Sequence, residues 1–158
     1  MIREAHEGDI PAMEAVHEAA IRERGASAYQ PGEIDAWIGP DEDGDGPPVD
    51  DPSQHVIVAE RNGDIVGFGQ VDLEEAEIVA VYVDPAYDRQ GVGTTILDAL
   101  ETKAMERGLE GLTLLASLNA AGFYERNGYQ RVGRTEYELR DGVALSVIEF
   151  EKELDSRG

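Results

Sequence analysis

The chain has 158 residues, 41% of them hydrophobic, and its 34 Asp and Glu against 13 Lys and Arg give a formal net charge of −21. This length suits one domain of about 100–200 residues, so we expect residues 1–158 to form a single domain. The chain has no cysteine, which excludes disulfides, thiolate metal sites and a thiol nucleophile. Its negative charge disfavours nucleic-acid binding through a basic face.

The sequence shows neither a membrane span nor a secretory signal. No apolar run approaches the roughly 20 residues needed to cross a bilayer. The first seven residues, MIREAHE, contain no apolar stretch of the kind found in signal peptides. We therefore expect a cytoplasmic protein that does not bind membranes.

The excess of carboxylates predicts adaptation to a salt-rich cytoplasm, and hence an origin in a halophile. Like charges at this density repel one another and oppose compaction at low ionic strength. At ~1 M salt the Debye length falls to ~3 Å and most of that repulsion is screened. Only two basic residues are lysines, Lys103 and Lys152. The alternative is an acidic surface that binds basic partners, although the acidic residues are spread along the whole chain.

Two helices and a loop are predicted in the first third of the chain. Asp9 can cap a helix over residues 9–24, which Gly25 ends. A shorter helix is predicted over residues 32–38 and carries the only tryptophan. Residues 39–53 are dense in Gly, Pro and Asp without apolar periodicity, which is typical of a surface loop. The apolar residues that recur at helical spacing in the first helix are Ile10, Met13, Val16, Ala20 and Ile21.

Strands dominate the rest of the chain. Residues 55–60 and 65–73 are β-rich, and Asn62-Gly63 between them is a strong signal for a two-residue hairpin. The remaining predicted elements, in chain order, are a strand at 76–83, a helix at 94–107, a buried strand at 112–118, a short helix from its cap Asn119 to Arg126, and a hairpin of residues 131–140 and 143–154 around Asp141-Gly142.

The order of these elements predicts the fold class. Residues 78–118 run strand–helix–strand, which requires a parallel pair joined by a right-handed crossover. All other neighbouring strands can pair antiparallel. We therefore predict an α/β fold with a mixed, mostly antiparallel sheet, one parallel strand pair, and helices on both faces.

A glycine-containing segment, residues 88–94 (DRQGVGT), runs from the strand at 76–83 directly into a helix. Its two glycines leave the backbone uncovered, so successive N–H groups can turn towards an anion, and the helix dipole adds about half a positive charge. This arrangement suits a pyrophosphate, and the alternative is a tight turn without a ligand. No Gly-Lys-Ser/Thr follows and a third spaced glycine is lacking, which excludes a P-loop and a Rossmann fingerprint.

A second motif, residues 119–129 (NAAGFYERNGY), follows the strand at 112–118. Together the two motifs closely resemble the GNAT superfamily of N-acetyltransferases. Its cofactor motif is Gln/Arg-x-x-Gly-x-Gly/Ala after a strand ending in Val-x-Pro, and its next motif is Asn-x-x-Ala-x-x-Phe-Tyr-Glu-x-x-Gly-Phe/Tyr. Two positions are interpreted as departures, Asp88 in place of Gln or Arg and Gly122 in place of Ala. The matches are Val83, Pro85, Gly91, Gly93, Asn119, Phe123, Tyr124, Glu125, Gly128 and Tyr129.

The resemblance implies direct transfer of an acetyl group from acetyl-CoA to a primary amine of a small molecule or peptide in a ternary complex. The pantetheine arm is then expected between two splayed parallel strands, paired with the backbone of Val81 and Val83. Arg126 is a candidate for the 3′-phosphate, or otherwise a solvated helix residue. The full set of implied cofactor-binding residues is Val81, Val83, Arg89, Gln90, Gly91, Val92, Gly93, Thr94, Asn119, Phe123 and Arg126.

Two side chains are expected to carry the proton transfers. Tyr124 is the candidate acid for the departing thiolate, because a phenol of pKa ~10 is protonated at pH 7. The alternative is a core tyrosine beside Phe123. Glu77, 14 residues before Gly91, is the candidate base for the amine, at the offset of the base in the histone-acetylating branch. We expect Glu77 to share a strand face with Val81 and Val83, and the alternative is an exposed carboxylate.

The acceptor is the least defined part of the prediction. The resemblance places substrate contacts in the first two helices and the following loop, with Tyr29, Glu33 and Trp37 as candidates. The three histidines show no ligand spacing, and no metal is expected. A homodimer is expected by resemblance. The alternatives to an enzyme are a CoA sensor with the same fold but no turnover, and an interaction domain that uses the acidic surface.

Overall fold

A mixed β-sheet flanked by helices organises the chain. The computed structural model describes residues 2–26, 28–38, 48–138 and 143–154. Its strands are β1 (Ile2–Glu4), β2 (Gln54–Arg61), β3 (Asp64–Asp72), β4 (Glu77–Val83), β5 (Gly111–Ser117), β6 (Gln130–Glu138) and β7 (Ala144–Glu153). Its helices are α1 (Ile10–Gly25), α2 (Pro31–Ile38), α3 (Val92–Glu106) and α4 (Ala121–Arg126), with single 3-10 turns at Glu7–Asp9, Pro85–Tyr87 and Leu118–Ala120.

The strands form one seven-stranded sheet in the order β1-β2-β3-β4-β5-β7-β6. Five of the neighbouring pairs are antiparallel, and β4 with β5, which α3 connects, is the one parallel pair in the described sheet. The predicted mixed, mostly antiparallel α/β sheet with a single parallel pair and helices on both faces is therefore confirmed. Within the described residues no helix is both long and apolar enough to cross a bilayer.

The main core lies between the sheet and α3, where close approach depends on a glycine. A Cβ built on Gly69 of β3 would lie 2.5 Å from Ile96 Cγ2 and 3.0 Å from Leu100 Cδ1. Ile96 and Leu100 are fully buried, so neither has room to withdraw. The absence of a side chain at Gly69 therefore lets α3 pack directly on β3. On the opposite face, α1 packs on β2 and β3 through Met13, Val16, Val56, Val58 and Phe68.

The N-terminal strand β1 was not predicted, and Asp9 does not cap α1. Three residues are too few for a periodic signal, yet β1 pairs with β2 over its whole length. The Asp9 carboxylate accepts hydrogen bonds from Arg3 Nη1 and Nη2 at 2.8 and 2.9 Å and from His6 N at 2.9 Å. Arg3 also donates to Glu60 at 2.8 Å. Arg3 therefore joins β1 to β2, the Asp9 carboxylate joins β1 to the turn before α1, and no side-chain cap serves α1.

The Asn62-Gly63 hairpin is confirmed. Both residues have positive φ, 54° and 85°, and Arg61 pairs with Asp64 across the turn. β6 and β7 form the predicted second hairpin, although its turn at Asp141-Gly142 lies outside the described residues, as do residues 39–47 of the predicted loop.

A partly buried ion pair joins α3 to β7. Glu101 is 7% exposed, and its carboxylate accepts hydrogen bonds from the Tyr129 hydroxyl at 2.9 Å and from Lys152 Nζ at 3.0 and 3.2 Å. Lys152 Nζ also donates to the Asn127 carbonyl at 3.0 Å. The three atoms that accept hydrogen bonds from this ammonium thus belong to α3 and to the turn after α4.

Candidate functional site

The parallel strands β4 and β5 separate soon after they meet. They pair only at Glu77 with Thr113 and at Ile78 with Leu114, although each strand continues beyond these positions. A cleft of about 990 Å³ opens where they diverge, and its walls include both strands, α1, α4 and the loop before α3. The predicted splayed pair is therefore present in the sheet.

The backbone of β4 faces this cleft at Val81 and Val83. Asp84 N donates to Val66 O on β3 at 2.8 Å, so Asp84 directs its N–H towards β3. Successive residues of a strand direct their N–H and C=O groups to opposite edges. Val81 and Val83 accordingly direct theirs away from β3, into the cleft, beyond the point where β5 pairs with β4.

A β-bulge at Val79 separates Glu77 from these valines. Gln70 pairs with Ala80 and Val71 pairs with Ile78, which leaves Val79 without a partner on β3 and reverses the alternation of the strand. The prediction that Glu77 shares a face with Val81 and Val83 is therefore wrong. Glu77 lies on the α1 face of the sheet, the face of Tyr82. It lines the cleft from the first of the two positions at which β4 pairs with β5.

The Glu77 carboxyl lies in an environment that favours its protonated form. Partial burial, followed by the nearby carboxylates Asp72 and Glu75, raises its pKa above the usual value for glutamate. A carboxylate with a raised pKa is a stronger base than a solvated one, so this position suits proton acceptance.

Bare amides line the other end of the cleft, at the start of α3. Gly91 precedes the helix with φ of 79°, which favours glycine, and the first helical bond runs from Thr95 N to Gly91 O at 3.0 Å. The amides of Val92, Gly93 and Thr94 precede that bond and have no acceptor within the helix. A Cβ at Gly93 would lie 3.1 Å from Phe123, so glycine also keeps this corner narrow.

Arginines from distant elements fix the loop before α3. Arg24, at the end of α1, forms an ion pair with Asp88. Arg61, at the end of β2, donates to the Gln90 side chain and, at 3.3 Å, to the Gln90 carbonyl. Between them Arg89 has φ of 62° and lines the cleft. The Gln90 side chain is directed to Arg61, and Gln90 is not among the residues that line the cleft.

Tyr124 on α4 is 7% exposed and lines the cleft, with its ring edge-on to Phe123 at a centroid distance of 5.0 Å. Among the described residues, every buried side-chain nitrogen or oxygen atom has a hydrogen-bond partner. Burial, followed by the proximity of Tyr82, raises the pKa of Tyr124 above its usual value. The phenol is therefore protonated over the whole physiological range and able to donate.

The position of the motif asparagine needs correction. Counted back from Tyr124, the family pattern places its Asn on Ser117 and its Ala on Ala120. Asn119 thus lies two residues beyond the motif position, and Gly122 is not a departure. Nor does Asn119 cap α4, because it lies within the 3-10 turn and Ala120 precedes the helix. Ser117 and Asn119 both line the cleft, at the end of β5 and just after it.

Arg126 also lines the cleft, from the last turn of α4. Its Nη1 lies 3.2 Å from where a Cβ would be on Gly122, so the side chain turns back along its own helix. A larger residue at position 122 would push the guanidinium away from this position.

Of the three predicted acceptor contacts, Tyr29 and Glu33 do not line the cleft. The Tyr29 hydroxyl donates to Ser146 O at 2.6 Å and accepts from Leu118 N at 3.0 Å, which ties the α1–α2 connection to β7 and to the end of β5. Glu33 accepts from Gln30 N at 2.8 Å at the start of α2. The side chain of Trp37 lies outside the described residues.

Sequence reasoning missed the cleft wall contributed by α1 and β7. Ala20, Ile21 and Arg24 share one face of α1, and Leu145 and Val147 extend the wall on β7. The i, i+1, i+4 spacing of the α1 residues indicated a buried face but not what that face adjoins. Elsewhere, His17 contacts the Tyr82 ring edge-on at 4.7 Å, and the described residues contain no group of three His, Asp or Glu placed to hold a metal.

Comparisons with known proteins agree with this geometry. Residues 52–131 match the model of the acetyltransferase (GNAT) domain. An uncharacterised N-acetyltransferase of Escherichia coli, YafP, is 32% identical over 139 residues, 88% of this chain and 87% of that protein. The alanine N-acetyltransferase for ribosomal protein bS18 of E. coli is 36% identical over 95 residues, 56% of this chain and 64% of that protein.

Solved structures extend the similarity over nearly the whole chain. A GCN5-related N-acetyltransferase from Rhodopseudomonas palustris superimposes with a TM-score of 0.90 at 30% identity, covering 98% of this chain and 95% of that one. The PaiA N-acetyltransferase of Thermoplasma acidophilum, solved with coenzyme A, has a TM-score of 0.74 at 19% identity over 97% of this chain and 98% of that one. The chain belongs to the GNAT family of acetyltransferases.

Proposed function

We propose that the chain is an acetyl-CoA-dependent N-acetyltransferase that acts on a primary amine of a small molecule or peptide. The observation that carries the proposal is the separation of β4 from β5. There the backbone of Val81 and Val83 faces a cleft that ends at the unpaired amides at the start of α3. An extended amide-containing arm and an anionic head group, joined as they are in CoA, match these two ends in order.

Each part of CoA can be matched with residues of this chain whose chemistry suits it. The amides of Val92, Gly93 and Thr94, with Arg89 beside them, suit the diphosphate. Ser117, where the family motif has Asn, and Asn119 are polar groups beside the arm. Arg126 is the cation placed for the 3′-phosphate. Phe123 closes the narrow corner at Gly93.

Acetyl-CoA supplies an activated acetyl thioester, and the chain supplies polarisation and proton transfer. An N–H group of Val81 or Val83 directed into the cleft donates to the thioester carbonyl, and preorganised donors of this kind contribute about 3 kcal/mol to transition-state stabilisation. Glu77 takes a proton from the acceptor ammonium, directly or through water, so that the neutral amine attacks. Tyr124 donates its phenolic proton to the departing thiolate.

The charge distribution supports a function at high ionic strength in a salt-rich cytoplasm. The chain carries a net charge of −21, yet Arg24, Arg61 and Arg89 lie together at the loop before α3. Salt screens the long-range repulsion between protein and CoA more than it screens these short contacts. The same acidic field attracts a cationic amine.

Release of free CoA thiol in the presence of a panel of primary amines tests the proposal, together with the Tyr124→Phe variant. We expect turnover with at least one amine and a loss of about 100-fold in kcat for Tyr124→Phe, with unchanged CoA affinity, because only the transferable proton is removed. Tyr129→Phe is the matched control, since it removes a buried tyrosyl hydroxyl that bonds Glu101 outside the cleft.

A CoA sensor without turnover is the second candidate, because two of the acceptor contacts predicted from the sequence, Tyr29 and Glu33, do not line the cleft. CoA binding without thiol release from any amine, and no effect of Tyr124→Phe, would support the sensor. Absence of CoA binding at every salt concentration would exclude both functions. The homodimer stays a prediction. The molar mass in solution, measured by light scattering after size-exclusion chromatography, tests it.

A further inference from the structure

Arg24 connects the first helix to the anion end of the cleft. Its guanidinium forms an ion pair with Asp88, and the two side chains are 29% and 48% exposed. Both residues line the cleft beside Gly91 and Gly93. Arg24 is four residues after Ala20, which lines the cleft from the same face of α1.

Asp88 alone is a poor neighbour for a diphosphate. It stands at the first position of the cofactor motif, where the family usually has Gln or Arg, and no other described acidic side chain lines that end of the cleft. A carboxylate there would repel an anionic ligand unless a cation offsets it. Arg24 is the cation that the structure pairs with it.

We propose that Arg24 binds the diphosphate of the acyl-CoA and that Asp88 is a positioning residue that holds the guanidinium at the cleft mouth. A guanidinium has five N–H donors in a fixed plane, so one edge can bond Asp88 while another faces the diphosphate. In place of the Gln or Arg that the family usually has at this motif position, a cation is thereby supplied from α1. This inference rests on the proposed function.

Calorimetry on the full chain at one fixed KCl concentration tests the proposal with three probes: CoA, 3′-dephospho-CoA and pantetheine. For Arg24→Gln we expect CoA and 3′-dephospho-CoA to bind about tenfold more weakly, by the same factor, because both retain the diphosphate. Pantetheine, which lacks it, binds Arg24→Gln and the wild type equally. With saturating acceptor, the variant raises KM for acetyl-CoA and leaves kcat unchanged.

Arg22→Gln is the matched control. Arg22 lies on the same helix, is exposed, and pairs with Glu18 at 3.3 Å, away from the cleft lining. Its loss changes the net charge by the same amount, so a long-range field effect would appear equally in both variants. We expect its CoA affinity to equal that of the wild type.

Three results would overturn the proposal while leaving the proposed function intact. Equal affinity of Arg24→Gln and wild type for CoA assigns Arg24 a purely structural role. Weaker binding of CoA but not of 3′-dephospho-CoA assigns it to the 3′-phosphate. An equal loss for pantetheine indicates a disrupted cleft. If the wild type binds no CoA, the proposed function itself fails.

A double-mutant cycle tests the positioning role of Asp88. In the Arg24→Gln background, Asp88→Asn removes an unpaired carboxylate and should tighten CoA binding about threefold. With Arg24 present, the same substitution releases the guanidinium and should give no tightening. Equal tightening in both backgrounds would show that Asp88 acts only as a charge, which contradicts its positioning role.

Discussion

The two edges of β4 differ in how completely the backbone is paired. Towards β3, β4 is paired along its whole length apart from the bulge at Val79. Towards β5, it pairs at two residues and then faces a cleft. Unpaired backbone groups in a protein interior are costly unless water or a ligand bonds them. A stretch of sheet from which one strand has moved away can therefore serve as a binding site for an extended molecule.

Substitution of Glu77 tests a residue at which β4 is still paired on both edges. We expect Glu77→Gln to lower kcat/KM about 100-fold at neutral pH, because a positioned base is lost. In the wild type, kcat/KM should rise with pH through a pKa above the usual value for glutamate, and the variant should lack this limb. The pH–rate profile measures both.

Glu75→Gln is the control for Glu77. Glu75 contributes to the raised pKa of Glu77 by charge repulsion, so its neutralisation should move the limb to lower pH with little change in the plateau. A loss of the plateau equal to that of Glu77→Gln would contradict the role of Glu77 as base.

Substitution of Gly69 tests the packing of α3 against β3, the strand that pairs with β4 on its more fully paired edge. A Cβ there would meet fully buried Ile96 and Leu100, so we expect Gly69→Ala to lower the free energy of unfolding by about 1–3 kcal/mol. Gly32→Ala on α2, where a Cβ meets nothing within 4 Å, should leave stability unchanged or raise it. Thermal melting at high KCl compares the two, and equal melting temperatures would show that β3 and α3 can separate at no cost.

Acid should weaken the β1 edge of the sheet, at a lower pH than that at which Glu77 in the cleft is protonated. The hydrogen bonds from Arg3, with a smaller contribution from His6, lower the pKa of Asp9 to about 2, against an ordinary value of 3.8. Because the folded pKa is the lower one, the stabilisation is present above about pH 4 and is lost as the pH falls towards 2. Asp9→Asn should therefore cost about 1–2 kcal/mol at neutral pH and reduce the acid dependence of unfolding.

The same variant separates stability from binding. Asp9 lies in the turn before α1, bonded to Arg3 of β1 and away from the cleft lining, so CoA affinity of the folded Asp9→Asn protein should match the wild type. A loss of CoA affinity alongside the loss of stability would mean that the β1 edge is coupled to the cleft between β4 and β5.

Salt gives the smallest expected effect. Between about 0.1 and 2 M KCl the apparent CoA affinity should hold or improve, because screening removes the repulsion between CoA and a chain of charge −21 while local N–H contacts persist. Titration of CoA across this range measures it. A steep loss of affinity would indicate that long-range attraction dominates, against the observed net charge.

The sequence predicted what depends on local pattern. The helices, the Asn62-Gly63 hairpin and the parallel pair follow from periodicity, turn chemistry and the strand–helix–strand order. The tight entry into α3 at Gly91 followed from the glycines of residues 88–94. These features are encoded by residues close together in the chain.

What the sequence did not predict depends on contacts between distant segments. The bulge at Val79, which changes the face of Glu77, shows only in the register of β3 against β4. The pairing of Arg24 with Asp88 joins residues 64 positions apart. The misplaced motif asparagine is different, because counting from Tyr124 alone identifies Ser117.

The ion pair of Lys152 has a consequence for the chemistry that the chain is proposed to perform. A primary amine can attack an acyl donor only when its nitrogen can reach that donor, and Lys152 Nζ is held inside the fold by hydrogen bonds to the Glu101 carboxylate and to the Asn127 carbonyl. With Lys152 one of only two lysines, half of the chain's own ε-amino groups are thereby protected from the acyl donor it would carry.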